Sequence, residues 1–399
     1  MPTMTNDPKR LVIWLAALVA FGPLSIDMYL PSLPLIAEEL AAHQSHIQQT
    51  ITFFLAGFSV GMLLYGPLSD RFGRRRLLIG GISLYLIASI GCALADTADS
   101  LLLWRTVQAL GGAAASVLAR AIVRDLFALN EAAKILSQMH LITMVATLLA
   151  PLVGGYLILM SGWRTLFGVL FVLAGICLLA VLLKVPETLP PERRGKSVAD
   201  AFRAFGFILS QRRALGYILC MGMAFAGMFT YITASPFIYI DYFGVSPQTY
   251  AWLFALNIGG IMVVTFLNAR LVTRLGPQTL LWGGALVAFS AGLTLAVLGS
   301  SGIGGVYAVV VCLLLFISVT GLMSANAIAS LLSLHPQYAG AAAGLAVAVQ
   351  FGLGTALSAL TSLLHDGSPM PMSLVIGGCG LLCVLALSMT RQGATAIRR

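Results

Sequence analysis

Apolar residues fall in long unbroken runs along this chain, Leu11 to Leu30 and Leu166 to Leu183 among them, and short polar breaks separate the runs. A helix needs about 20 apolar residues to cross the hydrocarbon core of a bilayer. By that measure twelve segments qualify: 11–35, 48–68, 77–95, 100–122, 133–158, 163–184, 214–237, 248–268, 279–299, 303–327, 339–363 and 371–390. A spanning β-barrel would need alternating segments of about ten residues, and the continuous runs exclude it. The breaks carry turn residues, as in Ala95-Asp96-Thr97-Ala98-Asp99, Ser161-Gly162 and Asp366-Gly367-Ser368-Pro369. Pro186 to Arg213 is longer and holds Arg193, Arg194, Lys196, Arg203, Arg212 and Arg213. It divides the spans six and six. The predicted architecture is an all-α membrane protein of twelve transmembrane helices in two pseudo-symmetric six-helix bundles. Residues 1–188 form the first bundle, 189–213 a linker and 214–399 the second.

Composition agrees with lipid as the solvent. Charged residues are 9% of the chain and hydrophobic ones 59%, against about 25% charged in an average soluble domain. The polar start, Met1 to Arg10, resembles the head of a signal peptide, but the apolar stretch behind it is too long for one and holds Pro23, Asp27, Pro31 and Pro34. It reads as a retained first helix.

Charge then orients the helices. With both termini and the linker on one side, all but two of the 23 Lys and Arg residues fall there, the exceptions being Arg105 and Arg164. The positive-inside rule makes that side cytoplasmic in a bacterial inner membrane. The net charge of +9 therefore reflects topology and anionic lipid, with no nucleic-acid partner implied.

Two loops match across the halves. Asp70-Arg71-Phe72-Gly73 follows the second span and Thr273-Arg274-Leu275-Gly276 follows the eighth. The same turn at the same place in each half is a parallel internal repeat.

The six cysteines lie in apolar stretches without zinc or redox spacing. His43 and His46 sit in a short loop with no further ligands nearby, so no metal and no cofactor is expected. Gly-rich nucleotide loops and hydrolase motifs are absent from the sequence. The chain is not expected to be an enzyme, and an ion gradient is the expected energy source.

Asp27 is the one acid inside a predicted span. Intramembrane ionisable residues are functional sites by default, and a carboxyl there can take a proton from one side and yield it to the other. Arg105, one turn into the fourth span, lies at similar depth; it is expected to pair with Asp27 or tune it. Arg164 beside Trp163 reads as an interfacial anchor. Asp70, Arg71, Arg74 and Asp125 form a cytoplasmic group suited to a gate latch, whereas Arg75 and Arg76 read as topogenic charge. His140, on the fifth span, is the next protonation candidate. Polar and aromatic residues suited to a binding pocket are Met28, Tyr29, Phe54, Gln108, Phe229, Tyr231, Asn257, Asn326 and Gln350. Aromatic walls with few fixed polar groups suit varied apolar ligands.

The stretch Gly66-Pro67-Leu68-Ser69-Asp70-Arg71-Phe72-Gly73-Arg74-Arg75-Arg76 resembles the loop 2–3 signature of the major facilitator superfamily. Arg105-Thr106-Val107-Gln108 is similar to its fourth-helix signature, and Ala150-Pro151-Leu152-Val153-Gly154-Gly155 to the fifth-helix signature of its proton-coupled antiporters. Ser25-Ile26-Asp27-Met28-Tyr29-Leu30-Pro31 and Glu187-Thr188-Leu189-Pro190-Pro191-Glu192-Arg193-Arg194 resemble the Bcr/CflA subfamily. Ala109, Ala146 and Ala150 stand where those motifs carry Gly. The resemblance implies the major facilitator fold, a monomer, and proton-driven export of small, largely apolar drugs such as bicyclomycin, chloramphenicol or sulfonamides. Pro151, Gly154 and Gly155 would be the antiporter motif. A nutrient or metabolite transporter is the rival reading, separated by whether energised cells accumulate or lose the substrate. A non-transporting sensor would call for a signalling domain, and no loop is long enough to hold one.

Overall fold

The computed structural model describes residues 8–190, 198–334 and 336–390. Sixteen α-helices run through the described residues. The first eight are α1 (Pro8–Val19), α2 (Phe21–Asp27), α3 (Leu33–Glu39), α4 (Gln44–Phe72), α5 (Arg74–Ala93), α6 (Ala98–Leu126), α7 (Leu129–Ser161) and α8 (Arg164–Lys184). The rest are α9 (Val198–Ser210), α10 (Arg212–Pro236), α11 (Pro247–Leu275), α12 (Pro277–Ser301), α13 (Gly305–Ser318), α14 (Thr320–Leu334), α15 (Ala339–Leu363) and α16 (Met370–Ser388). Among the described residues, eleven helical stretches are long and apolar enough to cross a membrane, α13 and α14 counting as one, and the bent pair at the N-terminus makes a twelfth when it is taken as one span. Of the bases assigned to the positive side, Arg193, Arg194, Lys196, Arg391, Arg398 and Arg399 lie outside the described residues.

Proline chemistry explains where the first span breaks. The chain bends by 44° between Val19 and Phe21. Pro23 has no N–H to give the Val19 carbonyl, and its ring crowds that oxygen. Pro31 withholds a donor from the Asp27 carbonyl in the same way. There the bonding tightens: Met28 N–H still reaches Leu24 O at 3.2 Å, but Tyr29 N–H takes Ile26 O at 3.1 Å. A 3₁₀ turn, Leu30–Ser32, follows before α3. What reads in sequence as one helix over 11–35 is three helices and a turn.

The linker region holds a helix that the apolar runs did not single out. The break from Pro186 to Arg213 contains α9. This helix buries Phe205 and Ile208 while leaving Phe202, Phe207 and Leu209 exposed, and the Phe207 ring meets Tyr338 at 5.4 Å.

The repeated loops share one backbone shape. Gly73, between α4 and α5, has φ 95° and ψ 149°; Gly276, between α11 and α12, has φ 75° and ψ 155°. Residues with a Cβ avoid that region. Packing repeats too, since α5 lies against α8 as α12 lies against α16.

Contacts divide the chain into two compact units. One comprises Met1–Asp200, Ile232–Ile258 and Ser358–Gly367, and so joins α1–α8 to one end each of α10, α11 and α15. The other comprises Ala201–Tyr231, Gly259–Leu357 and Ser368–Arg399. In the first, α6 is the central helix, buried along most of its length against α4 and α5. In the second, α12 packs on α13, α14 and α16.

If the turn geometry is required, Gly276→Ala costs about 1–3 kcal/mol of backbone strain and lowers the melting temperature in detergent. Gly66→Ala, whose new methyl meets nothing within 4 Å, does not lower it.

Candidate functional site

Asp27 closes α2 at the proline-made break and is 4% exposed. Its carboxyl shares a side-chain hydrogen bond with Thr147 on α7. Four residues past Thr147 is Pro151, which denies the Thr147 carbonyl its helical donor and loosens α7 beside the acid. One turn further on, α7 comes so close to the break that a Cβ on Gly154 would strike the Met28 carbonyl, whereas one on Gly155 would meet Pro247 and Ala251 at 3.8 and 3.9 Å. Two of the three fifth-helix motif residues thus bear directly on the segment that carries Asp27.

Arg105, on α6, is fully buried. Its guanidinium carbon lies 4.5 Å from the Tyr29 ring centre, 4.4 Å from that of Phe54 and 5.8 Å from that of Phe167. Nη1 donates to Gln108 Oε1 at 2.7 Å, and Gln108 Nε2 donates to Ser89 Oγ at 2.9 Å. Nε and Nη2 have no hydrogen-bond partner among the described residues. The expected ion pair with Asp27 is not formed. Ring faces hold the cation instead, an interaction of about 2 kcal/mol when desolvated, and the acid has turned to Thr147. Gln108, expected in a pocket, spends both ends of its amide orienting Arg105. Tyr29 and Phe54 likewise serve as the cation's walls, with the Tyr29 hydroxyl 3.0 Å from Thr50 Oγ1. Met28 is buried at the break.

Sequence reasoning passed over Thr50, Tyr85, Ser89 and Thr147. Tyr85 Oη lies 2.5 Å from Ser25 Oγ, and Ser89 Oγ donates to Tyr85 O at 2.8 Å. The signal available was the i, i+4 spacing of Tyr85 and Ser89, which puts two polar groups on one face of an otherwise apolar helix.

The acidic and basic group at the start of α5 is drawn in tightly. Arg74 Nη2 pairs with Asp70 at 2.6 Å, its Nε with Asp125 at 3.1 Å, and its Nη1 donates to Ser69 Oγ. Glu187 accepts the N–H groups of Arg74 at 2.9 Å and Arg75 at 3.3 Å, capping the helix. Thr188 donates to Asp125 at 3.0 Å. Arg71 stands outside this network, stacked at 5.3 Å on its neighbour Phe72. The partners described for Asp70 and Asp125 all lie within residues 69–188, so in this conformation they brace the first half of the chain internally. Arg75, read as a topogenic charge, donates to the Val185 and Leu182 carbonyls at the end of α8, each at 2.8 Å. Arg164 stacks on Trp163 at 4.2 Å, as an anchor should, and both side chains bond Glu39. His140 is exposed on α7.

In the second unit, Phe229 packs with Phe225 and Phe351 at 5.0 and 5.4 Å between ring centres. Asn326 Nδ2 donates to Asn268 Oδ1 at 2.7 Å, and Gln350 Nε2 to Ser324 Oγ at 3.1 Å. Tyr231 is buried there as well. Asn257, which belongs to the first unit, bonds back to Leu253 O of its own helix at 3.2 Å. Phe351, Asn268 and Ser324 were not singled out from sequence.

The family model for the Major Facilitator Superfamily matches residues 13–359. The chain is 30% identical to a "Bicyclomycin resistance protein homolog" of Haemophilus influenzae over 94% of each chain. It is 33% identical to the uncharacterized MFS-type transporter YdgK of Bacillus subtilis over 97% of this chain and 98% of that one. It is 32% identical to the "Multidrug resistance protein MdtL" of Shigella dysenteriae over 72% of this chain and 73% of that one. Among solved structures, a D-xylose–proton symporter superposes with a TM-score of 0.74 at 17% identity, covering 94% of this chain and 96% of that one.

The contact between Gly154 and Met28 gives a direct test of how α7 seats the break. Gly154→Ala overpacks it at a cost of about 1–3 kcal/mol, read as a lower melting temperature, while Gly155→Ala melts close to the unaltered protein.

Proposed function

The chain belongs to the major facilitator superfamily, and from that premise we propose that it exports small, largely apolar antibiotics in exchange for protons. Bicyclomycin, chloramphenicol and sulfonamides are the drug types in view. The setting is a bacterial inner membrane with both termini in the cytoplasm, where the arginine-rich loops would face anionic lipid. The protein acts as a monomer by alternating access, with residues 1–188 and 214–399 as the moving halves and 189–213 as the tether.

One observation carries the reading: a carboxyl buried where the first span breaks, bonded to a hydroxyl of α7 and paired with no cation among the described residues. An acid with no ion-pair partner among the described residues changes the local net charge by one when it takes up a proton. Asp27 would receive its proton from the outside, hold it while the binding surface faces out, and release it inward before the next drug binds. The motif contact of Gly154 on Met28 ties the position of the acid to the position of α7, so charge and helix movement are linked. Arg105 would act as a fixed positive centre beneath Tyr29 and Phe54, setting the field in which Asp27 titrates. Phe229, Phe351 and Gln350 are the drug-facing groups we favour in the second unit. The relatives named for drug resistance favour efflux over nutrient uptake.

The test is drug susceptibility in a host stripped of its own pumps. The unaltered chain is expected to raise the inhibitory concentration of bicyclomycin or a related drug, and Asp27→Asn at equal membrane abundance is expected to abolish the gain. Resistance that survives Asp27→Asn moves the proton site elsewhere. No resistance to any drug tried overturns efflux.

A further inference from the structure

On the side of the first unit opposite the arginine-rich loops, three ends of the chain are clasped together. Gln44, at the start of α4, donates through Nε2 to Asp241 Oδ2 at 2.7 Å, in the π-turn Phe237–Tyr242 that follows α10. Its Oε1 lies 3.0 Å from Nε2 of His365, just past α15. The other ring nitrogen of His365, Nδ1, lies 3.4 Å from Gln48 Nε2. An amide oxygen must accept and an amide nitrogen must donate. The arrangement therefore calls for neutral His365, protonated at Nε2 with a lone pair at Nδ1.

His43 is built in the same state. It is the N-cap of α4, where its Nδ1 accepts the Ser45 N–H at 3.3 Å and lies 2.8 Å from Ser45 Oγ. The two imidazole centres are 6.4 Å apart, and Phe237 covers His365 at 6.1 Å. A proton on either Nδ1 turns an acceptor into a donor that faces another donor. On His43 it also removes the cap and sets a positive charge on the positive end of the helix dipole. Gln48 could offer its Oε1, which has no partner among the described residues, to a charged His365, and the Ser45 hydroxyl could accept from a charged His43, but the Ser45 N–H would then have lost its capping acceptor.

We propose that His43 and His365 form a second proton-binding site, an outer gate that is shut while both imidazoles are neutral and released when they take up protons. The gate lies on the outer face only under the orientation assigned above. The groups that face it are Asp366 beside His365, Asp241 through Gln44, Glu38 close to Asp241, and the pair His46–Asp99 at 2.9 Å on the next turn of α4. Burial and the nearby His43 hold His365 below the usual histidine value, with Asp366 pulling the other way. A lowered value means that the clasp is fully stabilised above about pH 6.5, the ordinary histidine range, and weakens as pH falls through the lowered one. A cavity of about 550 Å³ lined by Pro31, Pro34, Glu38, Gln44 and Asp241 adjoins the clasp. Pro31, in its wall, follows Asp27 by four residues along the chain.

The experiment is a pulsed electron-spin distance measurement on purified, drug-free protein. Spin labels go on Leu94→Cys and Leu364→Cys, positions 71% and 52% exposed; the six native cysteines are buried, and a chain without the introduced pair supplies the background. The distance is expected to be short at about pH 7.5, with a longer population rising severalfold by about pH 5.5, the span over which histidine takes up charge. His43→Asn with His365→Gln, which keeps a capping side chain and an amide in place of the two rings, is expected to stay short at both. Equal distances in the unaltered protein at the two pH values overturn the gate. Opening of the double variant to the same extent overturns the assignment to these histidines. Because no drug is present, a failed gate is distinguishable from a failed efflux reading.

Discussion

A carboxylic acid and a guanidinium are both buried in the first unit, and the fold keeps them from neutralising each other. Asp27 is bonded to Thr147 of α7. Arg105 is sandwiched by Tyr29 and Phe54 and braced by Gln108. Taking a charge out of water costs several kcal/mol even after relaxation, and a direct ion pair would be the simplest relief. The structure uses aromatic faces and neutral hydrogen bonds instead. That choice leaves the acid free to gain or lose a proton without breaking a salt bridge, a step that removal of one partner makes expensive.

Much of the surrounding architecture positions this pair. Pro23 and Pro31 break the first span so that Asp27 ends a helix rather than sitting within one. Gly154 lets α7 touch the break, and Pro151 loosens α7 next to Thr147. On the arginine-rich side, Arg74 gathers Asp70 and Asp125 while Glu187 caps α5, fixing the ends of α4, α5 and α6 to one another. On the other side, Gln44 and His365 join the start of α4 to the end of α15. Asp27 and Arg105 are thus bonded or caged within the first unit, while Asp70, Arg74 and Asp125 pair at its arginine-rich face.

The spans were legible because lipid imposes a simple rule: a segment that satisfies its own backbone in hydrocarbon must be helical and long. The repeat was legible because Gly73 and Gly276 occupy the same turn in each half. The short amphipathic α9 was hidden by the charges around it, although Phe202, Phe205 and Leu209 recur at helical spacing. Which partner each buried polar group would take could not be read from spacing. Depth alone placed Asp27 near Arg105, but the choice between an ion pair and an aromatic cage depends on where Tyr29 and Phe54 fall around the helix axes. Gln108 looked like a pocket residue for the same reason; its orientation is set by Ser89 on a different helix. The clasp joins residues 317 and 321 positions apart, a separation at which no local pattern carries information.

Under the proposed function, Asp27 exchanges its proton against the drug. In a weakly buffered solution of purified protein, addition of a tightly bound drug should release about one proton per molecule, followed with a pH-indicating dye, and Asp27→Asn should still bind the drug while releasing none. Equal release from the two proteins would contradict the assignment of the coupling proton to this residue.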